Sequence, residues 1–287
     1  MDADIPFDRR LRRLRRDRAA RHRVGADYLH RHVAAELLDR LDFVKRDFSR
    51  ALVLGCAAPH VREALRARSV ELVAADAGAL FARRAGGAQC DEDRLPFADG
   101  SFDLAVSAGG LDTVNDLPGA LTLIRRSLRP DGLFLAAMAG AGSLPRLKSA
   151  MLAADSWNGG PVSPRIHPQL DVRAAGDLLT RAGFALPVAD SESLDIRFPD
   201  LPALVSDLRA LAATNILAAR SRIALTRAGL AAAMADFDSR AEGDGKTTER
   251  FEILHLIGWA PSPDQPRPAR RGSATASLAA ALKPPAR

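Results

Sequence analysis

The chain has 287 residues, 47% of them hydrophobic and 26% charged, with two cysteines and no apolar run near the ~18 residues a membrane span requires. This excludes a disulfide scaffold, a paired-cysteine zinc module and a helical membrane protein, and leaves one large α/β domain with tails or two small domains. The net charge of +6 is unevenly placed: residues 1–23 carry nine Arg against four Asp, residues 260–287 carry +4, and the body between them sums to −3. The basicity therefore belongs to the ends, and no nucleic-acid partner is expected.

The N-terminus "MDADIPFDRRLRRLRRDRAARHR" is Arg-rich but has no apolar core and carries four Asp, so it reads as no targeting signal. Residues 7–48 are predicted helical, with Leu29, Val33, Leu37, Leu38 and Leu41 of "YLHRHVAAELLDRLDFV" at three- and four-residue steps. "ALVLG" (51–55) is a buried strand, "HVREALRAR" a helix, "VELVAAD" (70–76) a strand ending in an acid, and "AGALFARRA" a helix. "SFDLAVSAG" (101–109), the helix "LPGALTLIRRSL", the turn "RPDG" and the strand "LFLAAMAG" (133–140) continue the alternation. Such alternation implies parallel strands joined by helical crossovers.

A Gly/Pro-rich loop follows at 159–168, then a helix at 171–184 stopped by Gly183, and a strand "SESLDIRF" (191–198). Residues 200–240 read as an Ala-rich helical insertion placed like a lid over the sheet's carboxyl edge, and "ERFEILHLIGWAP" (249–261) as a long last strand. The division is an N-terminal basic helical arm (1–48), a main domain (49–261) with an insertion at about 199–248, and a Pro/Arg/Ala-rich tail (262–287) expected to be disordered in isolation.

Three stretches can carry chemistry. "ALVLGCAAPHV" runs from a strand through a glycine turn into a helix, where open α/β sheets hold ligands. It has one glycine, Gly55, and Pro59 removes a donor, so a dinucleotide diphosphate is excluded and a ligand without phosphate suits it better. Asp76, about twenty residues after Gly55, either accepts the two ribose hydroxyls of an adenosine or caps a helix starting at Ala77.

The third stretch, "CDEDRLPFADGSFD" (90–103), leads from acids through Leu-Pro-Phe into a strand, and resembles the class I S-adenosylmethionine-dependent methyltransferases. The resemblance implies a Rossmann-like seven-stranded, mostly parallel sheet and S-adenosyl-L-methionine as cofactor. It places Asp76 on the ribose and Asp91 by the adenine, with further cofactor contacts from Gly55, Ala57, Ala77, Glu92 and Ser107. "FDRRLRRLRRDRAA", "VNDLPGAL", "GGPVSPRIHP", "LTRAGF", "LIGW" and "RGSATASL" narrow it to one branch, the mitochondrial complex I assembly factors implicated in hydroxylating a subunit arginine, with their bacterial relatives. That branch is itself similar to the biotin-pathway malonyl-carrier-protein methyltransferases. The implied partner is a protein or carrier-bound substrate, such as a respiratory complex subunit, and the implied compartment is the bacterial cytoplasm or the mitochondrial matrix.

Departures from the family pattern are specific. Val53 replaces the first strand's acid, and Ala57 and Pro59 replace later glycines. Loss of one charge-assisted contact of ~1.5–3 kcal/mol weakens a ligand roughly ten- to hundredfold. Leu111, Asp112 and Thr113 stand where relatives show Leu-His-Trp, which leaves Asp112 as the catalytic candidate for proton transfer. The expected function is thus a methyltransferase-like enzyme, with arginine hydroxylation or a non-catalytic module with a degraded cofactor loop as alternatives. His30 and His32, two apart on a helix, face different directions, so no metal site is expected from them. Cys56, His167 and Trp259 read as packing, Ser163 lacks any nucleophile context, and Arg165 is a candidate substrate contact.

Overall fold

The structure, a computed structural model, describes residues 5–21, 27–57, 59–157 and 162–265. The tail expected to be disordered lies, beyond residue 265, outside the described residues, as do residues 158–161 of the predicted loop. Seven strands form one sheet in the order β3-β2-β1-β4-β5-β7-β6. These are β1 (Arg50–Leu54), β2 (Glu71–Asp76), β3 (Ala88–Gln89), β4 (Phe102–Ala108), β5 (Leu128–Ala139), β6 (Ala185–Phe198) and β7 (Thr247–Trp259). The first five pair in parallel, whereas β7 is antiparallel to both β5 and β6. The expected mostly parallel seven-stranded sheet is what forms.

Period-two alternation sends the strand residues into two apolar layers. Leu52, Leu54, Ala105 and Phe134 face Leu121 and Ile124 of α5 (Leu117–Ser127) and Leu179 of α7 (Val172–Arg181). Val53, Leu104, Val106 and Leu135 face Leu37 and Leu41 of α2 (Tyr28–Phe43) and Val61 and Leu65 of α3 (His60–Ala67). Burial of both faces is why these strands are continuous apolar runs.

Local signals set the helix starts. Asp116 and Asp171 each accept an amide three residues on, from Gly119 and Ala174, and so cap α5 and α7. The predicted "RPDG" turn is instead part of β5: Asp131 adopts φ +63° within a register shift against β4, a conformation Asp tolerates better than most residues. The two-residue β3 has no periodicity to read and escaped the sequence.

The Ala-rich span after β6 resolves into α8 (Leu201–Ala210) and α9 (Arg227–Asp238), with irregular chain between. That middle stretch is not helical because Ile216 and Leu217 are drawn against Phe7, with backbone bonds from Asp8 to Ile216 and from Ala218 to Pro6. Leu204, Leu208, Ala233 and Phe237 of α8 and α9 pack with Leu147 and Ala150 of α6 (Pro145–Trp157) and with Phe251 of β7. A separate apolar cluster thus stands over the carboxyl ends of β4 and β5. Beside it, α1 (Arg9–Arg21) lies against α4 (Ala79–Ala85) at the carboxyl end of β2.

Candidate functional site

Strand order reverses between β1 and β4, and ligands of open α/β sheets enter at the carboxyl ends beside such a switch. Gly55 ends β1 at φ +78°, and a Cβ there would lie 2.6 Å from the Gly109 carbonyl oxygen. Its glycine is therefore required by the approach of two strand ends, whatever else binds. Val53 sits inside the apolar layer under α2, where an unpaired carboxylate would be costly. Ala57 packs with Ala19, Ala20 and Cys56, so this position of the loop faces α1. Burial, followed by the Asp76 charge, pushes the Cys56 thiol up to about 11, in keeping with a packing role.

Four acids stand at or beyond the ends of β2 and β3: Asp76, Asp91, Glu92 and Asp93. Against them α1 presents Arg9, Arg12, Arg13 and Arg16, whose spacing puts them on one helix face. Arg16 binds Asp76 through Nε and Nη2 at 2.7 and 2.6 Å. Arg12 binds Glu92 through both terminal nitrogens at 2.7 and 2.9 Å and also donates to the Gly110 carbonyl. Arg13 reaches Asp91 at 2.6 Å, and Arg9 grips Asp93 with two bonds of 2.6 Å. Both members of the Arg16–Asp76 and Arg12–Glu92 pairs are buried.

Asp76 is a hub. Its carboxylate also accepts the Cys56 and Gly78 amides at 2.6 and 2.7 Å. Burial alone would raise it, but the Arg16 charge, the Arg16 hydrogen bonds and the two amides hold it below the usual carboxylate range. Burial would likewise depress the Arg16 guanidinium, and Asp76 reverses that into a rise. The helix expected to start at Ala77 starts at Ala79 with Gly78 as its cap, because Asp76 spends its oxygens on Gly78, Cys56 and Arg16. A Cβ on Gly78 would meet Arg16 Cβ at 2.8 Å, so α1 is fitted closely to this turn. Ala77 is fully buried.

Two other expected residues keep open valences. Asp91 Oδ1 and Ser107 Oγ are buried without a hydrogen-bond partner, although Arg12 Nη1 lies 3.7 Å from the former. Unsatisfied buried acceptors and hydroxyls are uncommon and point to a missing partner. Asp91 Oδ1 can accept, and the Ser107 hydroxyl can donate or accept, a further hydrogen bond, which is the pattern the amino and hydroxyl groups of an adenosine-type ligand fit.

A cavity of about 350 Å³ opens at the carboxyl ends of β4 and β5, under α8. Its wall is chiefly apolar, with Leu29, Val33, Met138, Leu147, Val205 and Leu208, and Arg16 and Gly110 bring it beside the acidic cleft. Among the described residues Asp112 is the one acid lining it, and it accepts the Gly110 amide at 3.2 Å. His167, read from sequence as packing, does pack edge-on against Phe7 but also lines the cavity. Its Nε2 accepts the Ile216 amide at 3.1 Å, which puts the ring proton on Nδ1. Burial pulls its pKa down, and the Asp112 charge opposes that. Burial, then Arg16 and His60, lowers His30 to about 4, so it is neutral at pH 7. Arg165 reaches the cavity wall with its guanidinium bonded to buried Asp155, at 2.5 to 3.1 Å.

Residues 52–136 match the methyltransferase domain family. The zebrafish (Danio rerio) arginine-hydroxylase NDUFAF5, mitochondrial, is 34% identical over 283 residues, covering 95% of this chain and 88% of that protein. The human counterpart is 33% identical over 282 residues, covering 95% and 82%. The malonyl-[acyl-carrier protein] O-methyltransferase of Methylovorus is 32% identical over 263 residues, covering 85% and 86%. Among solved structures, YcgJ from Bacillus subtilis superposes with a TM-score of 0.54 at 15% identity, covering 81% of this chain and 99% of that one, a likeness of fold. No helix among the described residues is long and apolar enough to cross a membrane. With its sheet order, its acids at the ends of β2 and β3 and relatives matched over nearly their whole length, the chain belongs to the class I S-adenosylmethionine-dependent methyltransferase family, in the branch that holds the NDUFAF5 arginine-hydroxylases.

Proposed function

We propose that this protein is an S-adenosylmethionine-dependent methyltransferase acting on a group presented by a protein or a carrier protein. The observation that carries the reading is the apolar cavity at the ends of β4 and β5, next to the acidic cleft, with the Asp112 carboxylate on its wall. Asp91 and Ser107 would hold the adenosine of the cofactor, and Asp76 its ribose after releasing Arg16. When bound, S-adenosylmethionine supplies an electrophilic methyl group. Asp112, anchored by the Gly110 amide, takes the proton the substrate nucleophile sheds, and neutral His167 offers Nδ1–H to orient the substrate. The apolar wall excludes water from the exchange. The working compartment in this reading is the bacterial cytoplasm or the mitochondrial matrix.

Arginine hydroxylation is a second reading, favoured by one observation beyond the relatives' name: the cleft acids already bind guanidinium groups in bidentate fashion. Mass spectrometry of a malonyl carrier protein and of arginine-containing subunit peptides, incubated with enzyme, cofactor, dioxygen and a reductant, separates the two. A methyl increment on the carrier is the expected result. An oxygen increment on arginine, or no increment on either, contradicts the methyl-transfer reading.

A further inference from the structure

Away from the acidic cleft, α2 and β6 bring three metal-ligating side chains together, and His255 of β7 backs one of them. His255 of β7 is fully buried, and its Nε2 lies 2.8 Å from Glu192 Oε1 on the neighbouring strand β6. His32 of α2 aims its own Nε2 at the same oxygen from 2.9 Å. Glu36, one helical turn beyond His32, places its carboxylate so that ligand atoms of His32, Glu36 and Glu192 all lie within 4.8 Å of one another.

None of the four lines the cavity. The expectation that His32 binds no metal considered only His30 as its partner, and His30 indeed turns to the cavity instead. The partners come from strands about 160 and 220 residues further along the chain, read directly from the numbering, which local spacing does not reveal.

We propose that His32, Glu36 and Glu192 form a binding site for a divalent first-row transition metal ion, with His255 holding the Glu192 carboxylate from behind. An imidazole nitrogen with carboxylate oxygens suits zinc, cobalt or ferrous iron, whereas calcium and magnesium favour all-oxygen shells. A tether between α2 and the sheet needs one imidazole on Glu192, and here two converge on a single oxygen from opposite elements. Two carboxylates drawn to the same spot repel each other, and a cation between them removes that repulsion.

Arg40 orients the Glu36 side: its Nη1 binds Glu36 Oε2 at 2.6 Å and its Nη2 binds Asp190 Oδ1 at 2.8 Å. This is the carboxylate positioning that outer partners supply in metal sites. His32, Glu36 and Glu192 are each only partly buried, so an ion reaches the site from solvent.

The test uses the full chain, stripped with a chelator, desalted and titrated with Co²⁺ under visible absorption, then with Zn²⁺ as competitor. One equivalent of Co²⁺ with ligand-field bands, displaced by Zn²⁺, is expected. His32→Ala and Glu192→Gln should each weaken Co²⁺ binding by at least about tenfold. His32 is partly exposed, so its variant is expected to fold, and far-ultraviolet circular dichroism checks that. Absence of Co²⁺ bands at millimolar metal, or binding of equal strength in the folded His32→Ala and Glu192→Gln variants, overturns the proposal.

Discussion

Replacing Arg16 by alanine is expected to cost about 3–5 kcal/mol of stability, read by denaturant unfolding at neutral pH. The cost arises because Asp76 would be left buried with two amides and no counter-charge, in a site where burial opposes the charged form. The pair itself need add little over an apolar pair of the same shape; breaking it from one side is what costs. Arg13→Ala, whose partner Asp91 keeps Arg9 and Arg12 within salt-bridge reach and whose own side chain is 44% exposed, should cost well under half as much. Equal losses in the two variants would show that α1 docks by diffuse charge and not through the Asp76 hub.

Phe237→Ala should cost a similar amount, about 3–5 kcal/mol, for a different reason. Phe237 is fully buried in the cluster that joins α8 and α9 to α6 and to the β6–β7 pair, and its carbonyl accepts the Thr247 hydroxyl. Its loss leaves a void where α6 and α9 meet, so the wall around Leu147 and Leu208 should loosen while the central strands hold. Hydrogen exchange reads this as faster exchange in α6, α8 and α9 with β1 and β4 protected. Uniform acceleration through β1 and β4 would mean that the insertion and the sheet form one cooperative core.

Much of this architecture is written in short-range pattern. Apolar runs such as "FDLAVSA" mark strands covered on both faces, and Asp116 and Asp171 announce helix starts. What escaped has physical reasons. β3 is two residues long, and "RPDG" resembles a turn although Asp131 makes a bulge inside a strand. Of the polar residues singled out, Asp76, Asp91 and Glu92 stand together beyond the ends of β2 and β3, but their partners on α1 did not show.

The signal for those partners was present in a form that apolar periodicity does not capture. Arg9, Arg12, Arg13 and Arg16 repeat at helical spacing, and such a charge stripe on one face anticipates a stripe of acids opposite. Net charge alone marks the arm as basic without saying what its arginines meet. His32 and His255, by contrast, carry no local mark, because chain topology alone brings them to Glu192.

In the proposed reading the cofactor's ribose and Arg16 of the arm need the same carboxylate, Asp76, which Arg16 holds in this structure. Calorimetric titration of S-adenosylhomocysteine into the full chain and into Arg16→Ala tests it most directly. The account predicts weak binding to the native chain, at least about tenfold tighter binding to Arg16→Ala as Asp76 becomes available to the ribose, and loss of that gain when Asp76→Asn is added. Equal affinity of the native chain and Arg16→Ala would contradict it, and would mean that Asp76 and the α1 arginines serve the fold and not the cofactor.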